Sequence, residues 1–295
     1  MNKRSILEEL LRAKKDSFAI GAFNIFNYLS AKAVISAARK EGGPVILQTS
    51  SQTAVTLGVK ALGSMLRQLA DSAGINVFIH LDHCKDLELV KSCIDNGWDS
   101  VMYDGSALPI GENIRNSKIL AEYAHVRGAF IEGELGKIAG VEDDISVSED
   151  DAEKTSLDEA IRYAGESEVD MFAPAVGTAH GMYKGQPHIN FGLIEQLKDR
   201  ISQPIVIHGG TGLADGTFLK LIESGASKIN VSTAIKHAYI DGAREYLQLY
   251  PDRLDPIGMD EFLDKKIETA AIKHIRLFRK DWFNGNTVNV AKFSM

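Results

Sequence analysis

The sequence predicts an α/β fold, a (β/α)8 (TIM) barrel with an additional C-terminal helix. Eight short apolar runs rich in β-branched residues recur along the 295 residues, with amphipathic stretches between them. Nearly continuous apolar strands are typical of a parallel sheet covered by helices, and eight βα units in about 250 residues is the size of such a barrel. Polar residues follow several runs, at the strand ends where these barrels carry their chemistry. A doubly wound open sheet is the alternative architecture.

The predicted strands and helices alternate along the chain. The strands are Phe18–Phe23, Pro44–Thr49, Asn76–Leu81, Asp99–Tyr103, Ala129–Glu134, Val169–Ala175, Pro204–His208 and Lys228–Val231. The helices are Ser30–Glu41, Val59–Ala73, Leu87–Asn96, Ile114–Val126, Ser156–Ser167, Phe191–Arg200, Phe218–Glu223 and Lys236–Leu249. Most of these helical stretches end at or near a glycine, a residue that commonly terminates helices.

Two segments depart from the alternation. The acidic stretch Gly136–Asp151 is longer and more polar than an ordinary βα connection, and it predicts a mobile flap. After the eighth helix, Pro251–Pro256 turns the chain into a further helix, Met259–Arg279. We therefore predict one domain over residues 1–295, with the barrel at about 18–250, a helical extension at about 251–280 and a tail at 281–295.

Composition excludes several classes of protein. The formal charge is −7 and the basic residues are dispersed, so no nucleic-acid partner is expected. The two cysteines, Cys84 and Cys93, are too far apart for a Cys-x-x-Cys pair, and the N-terminus lacks the apolar stretch of a secretion signal. No apolar run approaches the roughly 20 residues of a membrane helix. These features predict a cytoplasmic protein with no membrane partner.

Three histidines follow strand-like runs in similar settings: His83, His180 and His208. Catalytic zinc sites typically use three protein ligands and leave one position open, so the three histidines predict a zinc site. The alternative is that each is a core histidine satisfied by a backbone group. His80 shares its strand face with Asp82 and is expected to have a supporting role at most.

Carboxylates accompany these histidines. Asp82, beside His83, is a candidate general acid or base, or a partner that orients a histidine. Asp104, Glu132 and Glu134 lie at or near the ends of the fourth and fifth strands. They are candidates for holding a second cation or a ligand histidine, and a purely structural role is equally compatible.

Two further segments predict a phosphate site. Gly209-Gly-Thr-Gly212 lets a backbone approach an anion closely, and the following helix offers free N–H groups. A glycine-rich turn alone is weak support. It gains weight beside Asn230-Val-Ser-Thr233, because the loops after strands seven and eight form the usual phosphate site of this fold.

Together these residues resemble the class II, zinc-dependent ketose-bisphosphate aldolases, which include fructose- and tagatose-bisphosphate aldolases. The matching motifs are Ala22-Phe-Asn24, His80-Leu-Asp-His83, Glu132-Gly-Glu-Leu-Gly136, Gly177-Thr-Ala-His-Gly-Met-Tyr183, His208-Gly-Gly-Thr-Gly212 and Lys228-Ile-Asn-Val231. They lie in order over nearly the whole chain. Gly177-Thr-Ala-His180 resembles tagatose-type members more than fructose-type members.

The resemblance implies a role for each matching position. It implies that the three histidines bind catalytic zinc and that Asp82 is the acid/base at the C4 oxygen. It implies that Asp104 and Glu134 can hold a second divalent metal, and that Glu142 in the flap is a second proton carrier. The implied substrate-binding residues, with a monovalent cation (Na⁺ or K⁺) nearby, are Asn24, Ser50, Gly181, Gly209, Gly210, Thr211, Asn230, Val231, Ser232 and Thr233. A homodimer or homotetramer is also implied.

The implied reaction is reversible cleavage of a ketose 1,6-bisphosphate through a zinc-stabilised enediolate. The products are dihydroxyacetone phosphate and an aldehyde such as glyceraldehyde 3-phosphate. The family often has an arginine for the distal phosphate directly after an Asp-Pro pair, but here Ile257 follows Asp255-Pro256. Arg253, Lys265 or Lys266 are possible substitutes.

Three alternative functions follow from these residues. The substrate is alternatively a ketose 1-phosphate whose aldehyde half is unphosphorylated or carries another anion. A Schiff-base aldolase is disfavoured because the sixth strand lacks lysine and Lys228 is expected to begin its strand at the wrong end. A non-catalytic sugar-phosphate sensor is a remote alternative, because Asp82 and Glu142 are both present.

Overall fold

The structure is a computed structural model that describes residues 4–142, 145–147, 155–180 and 188–279. Its helices are α1 (Ile6–Asp16), α2 (Tyr28–Lys40), α3 (Ser51–Leu57), α4 (Val59–Ser72), α5 (Leu87–Asp95), α6 (Ile110–His125), α7 (Leu157–Glu166), α8 (Phe191–Arg200), α9 (Asp215–Ser224), α10 (Thr233–Leu249) and α11 (Pro256–Phe278). Its strands are β1 (Ile20–Asn24), β2 (Val45–Ser50), β3 (Val77–Cys84), β4 (Ser100–Tyr103), β5 (Phe130–Leu135), β6 (Ala139–Glu142), β7 (Ile145–Val147), β8 (Met171–Pro174), β9 (Ala179–His180), β10 (Ile205–Ile207) and β11 (Ala226–Val231).

Eight parallel strands close into a barrel in the order β1-β11-β10-β8-β5-β4-β3-β2. The last strand pairs with the first, with Ile20 opposite Lys228 and Phe23 opposite Val231. The predicted (β/α)8 barrel is therefore confirmed, and the open-sheet alternative is wrong because both edges of the sheet are paired. All these strands start at one end of the barrel, so their carboxyl ends meet at the other.

Two apolar cores hold the barrel together. The larger one lies between the strands and the surrounding helices. The smaller one lies inside the barrel, towards the strand starts, where side chains of alternate strand residues point inward. Its members are Ile6, Leu10, Ala13, Ile20, Ala22, Ile46, Phe78, Met171, Ala173 and Val206.

Helix α1 closes the N-terminal end of the barrel and is absent from the predicted elements. Ser5 caps it by accepting from the Glu8 backbone N–H at 3.2 Å, and the Glu8 carboxylate accepts from the Ser5 N–H at 2.6 Å. This reciprocal capping box satisfies two helix-terminal donors. Ile6, Leu10 and Ala13 are buried and pack on the apolar side chains inside the barrel.

The region of the predicted flap contains a small second sheet. Strands β6 and β7 form an antiparallel hairpin, and β6 also pairs in parallel with β9 through Ala139 opposite Ala179 and Gly140 opposite His180. The sequence did not predict these three short strands. The hairpin therefore connects the segment after β5 to the backbone at His180.

The additional C-terminal helix is confirmed as α11, which begins three residues earlier than predicted. Asp255 caps it by accepting from the Gly258 N–H at 2.9 Å, and Pro256 occupies the first turn, where its missing N–H is tolerated. Glu268 accepts from Ser36 of α2 at 2.5 Å and also pairs with Lys40. The predicted tail, residues 281–295, lies outside the described residues.

Every helix in the described ranges is too short or insufficiently apolar to cross a lipid bilayer.

Candidate active site

Polar side chains converge at the carboxyl ends of the barrel strands. Each comes from the second half of a barrel strand or from the residue that follows the strand. They are all at least nine-tenths buried: Asn24, Gln48, Asp82, Asp104, Glu134, His208 and Asn230. Such a dense polar cluster in an otherwise apolar barrel marks the candidate site.

His83 reaches this cluster through an unusual backbone conformation. Successive strand residues face opposite sides, so His83 would point away from the site if Asp82 points inward. His83 instead has φ 43°, in the left-handed region, and the pairing of β3 with β4 shifts register between Leu81 and Cys84. A bulge of this kind re-aims a side chain, and such outliers concentrate at functional sites.

Histidine and carboxylate atoms come close enough to share a metal ion. One group consists of Asp82, His83 and His208, and a second of His83, Asp104 and Glu134; within each, the candidate ligand atoms lie within 4.8 Å of one another. The two imidazole rings are 4.6 Å apart between centroids. His83 Nδ1 lies 3.7 Å from Asp104 Oδ2, and His208 Nδ1 lies 2.9 Å from Glu134 Oε2.

The electrostatics of this cluster favour positive charge. Burial acts to lower the pKa of His83, but the carboxylates of Asp82, Asp104 and Glu134 outweigh it and raise that pKa well above 6.5. Burial likewise acts to lower the pKa of His208, but its hydrogen bonds to the carboxylates of Glu132 and Glu134 outweigh burial and raise that pKa above its usual value. A divalent cation supplies the charge that these carboxylates attract, so the donor set fits a metal held by imidazole nitrogens.

Asp82 is held by three carboxamide groups. Its Oδ2 accepts from Asn24 Nδ2 and Gln48 Nε2, each at 3.0 Å, and its Oδ1 accepts from Asn230 Nδ2 at 3.0 Å. The family resemblance implied that Asn24 and Asn230 bind substrate, and it did not include Gln48 among the site residues. The amide groups of all three residues fix the Asp82 carboxylate in place.

Beneath the cluster, the barrel interior contains a buried ion pair. Lys228 Nζ donates to Glu132 Oε2 at 2.8 Å, and both side chains are fully buried. Lys228 lies inside β11 rather than at its start, so that part of the prediction is wrong. The Schiff-base alternative remains disfavoured for a different reason, because the ammonium group is buried and engaged by Glu132 and by His80 at 3.3 Å.

The two predicted phosphate segments lie next to each other at the ends of β10 and β11. Gly209 has φ 70°, and a Cβ there would lie 2.6 Å from the Ala179 backbone, so the turn requires glycine. Gly210 and Thr211 continue this turn. Helix α10 begins at Thr233, directly after Val231 and Ser232. Its N-terminal N–H groups face this end of the barrel, where anions are favoured.

Two buried atoms near these segments have no hydrogen-bond partner among the described residues: Ser232 Oγ and Asn230 Oδ1. Unpaired buried polar atoms are uncommon, so each is a candidate contact for a bound ligand. Ser50, in contrast, already caps α3 by accepting from the Thr53 N–H at 3.2 Å. The Ser50 hydroxyl also lies 3.1 Å from Thr53 Oγ1, a hydrogen bond in which either hydroxyl can donate.

Three of the predicted site residues are not fully described. The side chains of Glu142 and His180 lie outside the described part of the structure, and so does Gly181. The backbone of His180 runs in β9, next to the Gly209 turn. His83 and His208 are therefore the two predicted zinc ligands whose side chains the structure brings together.

The fold and the cluster define a (β/α)8 barrel with a candidate metal site of histidines and carboxylates at its C-terminal face. Comparisons with known proteins specify the family. The family model described as fructose-bisphosphate aldolase class-II matches residues 4–281. The chain belongs to this class-II aldolase family, whose members are zinc-dependent lyases.

Individual relatives agree with this family. The fructose-bisphosphate aldolase of Geobacillus stearothermophilus is 39% identical over 261 residues, which cover 87% of this chain and 88% of that protein. The sulfofructosephosphate aldolase of Alkalicoccus urumqiensis is 37% identical over 243 residues, covering 82% and 85%. The crystal structure of the YdjI aldolase from Escherichia coli K12 superposes with a TM-score of 0.82 at 27% identity, covering 94% and 97%.

Proposed function

We propose that the protein reversibly cleaves a ketose 1,6-bisphosphate, of the tagatose or fructose type, into dihydroxyacetone phosphate and glyceraldehyde 3-phosphate. The observation that carries the proposal is Asp82. Its carboxylate is fixed by three amide donors beside two histidines and next to two phosphate-type segments. This arrangement supports an acid/base group between a metal and a phosphate site.

We assign the catalytic zinc to His83, His208 and, from the family motif, His180. When bound there, zinc acts as a Lewis acid that stabilises negative charge on the three-carbon fragment. The group of His83, Asp104 and Glu134 supports a second divalent metal. We also propose a monovalent cation (Na⁺ or K⁺) beside the phosphate segments.

Asp82 supplies the proton transfer in this proposal. An ionised carboxylate accepts the proton of the C4 hydroxyl while the bond between C3 and C4 breaks and the aldehyde leaves. The amide donors hold the acceptor oxygens still, so the carboxylate needs no reorientation during the reaction. Glu142, on the hairpin that pairs with β9, is proposed to donate a proton to C3 of the three-carbon fragment, which thereby becomes dihydroxyacetone phosphate.

The phosphate of the three-carbon half is proposed to bind between the turn at Gly209–Thr211 and the segment Asn230–Thr233, with Gly181 and Ser50 as further contacts. The buried hydroxyl of Ser232 and the N-terminus of α10 support this placement.

A second candidate substrate is a ketose 1-phosphate whose aldehyde half is unphosphorylated or carries a different anion. The exposed residue Ile257 replaces the arginine that the family often has for the distal phosphate. Two of the three suggested substitutes already have ion-pair partners, Arg253 with Asp255 at 3.4 Å and Lys266 with Glu245 at 2.6 Å. A relative named for sulfofructosephosphate supports a different anion at this end.

We further propose a cytoplasmic homodimer or homotetramer that acts on small sugar phosphates and has no nucleic-acid or membrane partner. The net charge of −7 and the dispersed basic residues support the part of this proposal that concerns nucleic acid.

The test is release of dihydroxyacetone phosphate from fructose 1,6-bisphosphate, tagatose 1,6-bisphosphate and ketose 1-monophosphates, with and without a chelator. We expect chelator-sensitive cleavage. We also expect Asp82→Asn to lose about 10²- to 10⁴-fold in rate, the usual contribution of a positioned acid/base. Asp71→Asn, on the exposed face of α4, is the matched control and should retain full activity.

Cleavage that survives complete metal removal, or an Asp82→Asn enzyme with normal turnover, would contradict the mechanism. Zinc-loaded protein that binds sugar phosphates but cleaves none of them would support the sensor alternative instead.

A further inference from the structure

A row of buried polar groups runs from the candidate zinc ligand His208 down into the barrel. His208 Nε2 lies 2.9 Å from Glu132 Oε1, and the other Glu132 oxygen accepts from Lys228 Nζ at 2.8 Å. Lys228 Nζ is also 3.3 Å from His80 Nε2, and His80 Nδ1 is 2.8 Å from Ser100 Oγ. All five side chains are at most 1% exposed.

The proton positions along the lower part of this row follow from hydrogen-bond chemistry. An ammonium group has donors and no acceptor, so His80 Nε2 must accept from Lys228. The His80 proton is therefore on Nδ1, where it donates to Ser100 Oγ. Lys228 Nζ is thus hydrogen-bonded to Glu132 on one side and to the His80 imidazole on the other.

The two ring nitrogens of His208 face different surroundings. Nε2 faces Glu132, which belongs to neither of the two candidate metal groups among the described residues. Nδ1 faces Glu134 at 2.9 Å, and Glu134 belongs to the candidate metal group with His83 and Asp104. Metal-binding histidines usually donate their second ring N–H to a carboxylate, which fixes the tautomer and ring orientation.

We propose that Glu132 and Lys228 are positioning residues for the metal centre, which keep the His208 proton on Nε2 and leave Nδ1 for the metal. Glu132 Oε1 accepts a hydrogen bond from His208 Nε2–H, and Lys228 holds the other Glu132 oxygen in place. The proposal rests on the proposed function through His208 as a zinc ligand. It adds a required charge pair that contacts neither substrate nor metal.

Zinc affinity and unfolding separate this role from a merely structural ion pair. We expect Glu132→Gln to weaken zinc binding by about 10- to 100-fold, measured by competition with a chromogenic chelator. Lys228→Met leaves a buried carboxylate without its partner, so it should lower both zinc affinity and the urea midpoint of unfolding. Lys118→Met, which removes an exposed ion pair with Glu168, is the matched control and should change neither quantity.

The double variant Glu132→Gln/Lys228→Met distinguishes a positioning role from a purely structural ion pair. It does so even where the single variant Lys228→Met does not fold. Removing both charges should return the urea midpoint towards that of the wild type, while zinc affinity stays as low as in Glu132→Gln. Recovery of zinc affinity together with stability would overturn the proposal, because a purely structural pair predicts that both recover.

Nitrogen NMR of ¹⁵N-histidine-labelled, zinc-loaded protein tests the tautomer directly. We expect a proton on His208 Nε2, and a proton on Nδ1 would overturn the proposal. A wild-type protein that binds no zinc would overturn the proposed function and this inference together. If the wild type binds zinc and the Glu132→Gln and double variants bind it equally tightly, the inference is overturned and the proposed function is not.

Discussion

At the residue scale, the position of the Asp82 carboxylate depends on Gln48. The sequence did not predict Gln48 as a site residue. Gln48 Nε2 donates to Asp82 Oδ2 at 3.0 Å and to Asn24 Oδ1 at 2.6 Å. The Gln48 side chain therefore holds two polar groups of the candidate site in one arrangement. Because it is fully buried, water cannot replace its amide group in the closed cluster.

We predict that Gln48→Met lowers kcat/KM for ketose cleavage about 10- to 100-fold. Methionine keeps a similar volume but removes a hydrogen bond to a charged group, which contributes about 1.5–3 kcal/mol. Steady-state kinetics on the preferred substrate measures the effect. Gln68→Met, on the exposed face of α4, is the control, and equal kinetics for the two variants would contradict the role given to Gln48.

Their residue types and their positions at strand ends predicted that His83, His208 and Asp82 lie close together. The sequence did not predict the backbone conformation that brings them together. Asp82 and His83 are adjacent in a strand, and alternation places adjacent side chains on opposite faces. The left-handed backbone at His83 resolves this conflict, and no local sequence signal marks it. The pairing of Lys228 with Glu132 joins residues 96 positions apart, so it too depends on barrel closure.

At the scale of elements, the barrel needs a cover at its N-terminal end, and α1 provides it. The sequence carried a usable signal for this helix, because Ser5 and Glu8 have the spacing of a capping box. Lys14 at its C-terminal end donates to the Ile201 carbonyl at 2.6 Å, in the connection before β10. The helix is thereby attached both by apolar contacts and by a hydrogen bond.

We predict that Leu10→Ala lowers the free energy of unfolding by about 2–5 kcal/mol, the usual effect of removing a large buried aliphatic group. Leu10 is fully buried in the smaller core, whereas the next residue, Leu11, is 42% exposed. Leu11→Ala is therefore the matched control and should change stability by about 0.5 kcal/mol or less. Urea-induced unfolding measures both, and similar losses for the two variants would show that α1 does not close the barrel as described.

Periodicity predicted the eight barrel strands because each is an apolar run that is buried on both faces. The hairpin of β6 and β7 lacks this signal, since it lies in an acidic stretch, and β6 also pairs with β9 across a gap of about 40 residues. Pairing between distant short strands depends on where the barrel places them. Hydrophobic periodicity therefore does not indicate such strands in advance.

At the scale of the whole molecule, stability and chemistry occupy opposite ends of the barrel. The interior is apolar around α1, carries the Lys228 and Glu132 pair in the middle, and becomes a cluster of carboxylates and histidines at the carboxyl ends. Loss of a metal at the upper end should leave the lower core unchanged. The metal-free protein should then keep its barrel, and its remaining pH dependence should come from the cluster itself.

We predict that the metal-free protein becomes less stable as the pH rises above 6.5. Burial opposes charge on His83 and His208, but their carboxylate neighbours outweigh it and raise both pKa values above 6.5 in the folded state. A histidine with a raised folded pKa contributes stability that is fully present below its unfolded pKa and is lost as the pH rises through the folded value.

Thermal unfolding of chelator-treated protein between pH 6 and 9 should therefore show a falling midpoint, with unchanged far-UV circular dichroism before unfolding. Zinc should oppose this fall, because its binding displaces protons and strengthens with pH. If the thermal midpoint of the metal-free protein rises over this range, protonation of His83 and His208 does not stabilise the folded state against repulsion between the carboxylates.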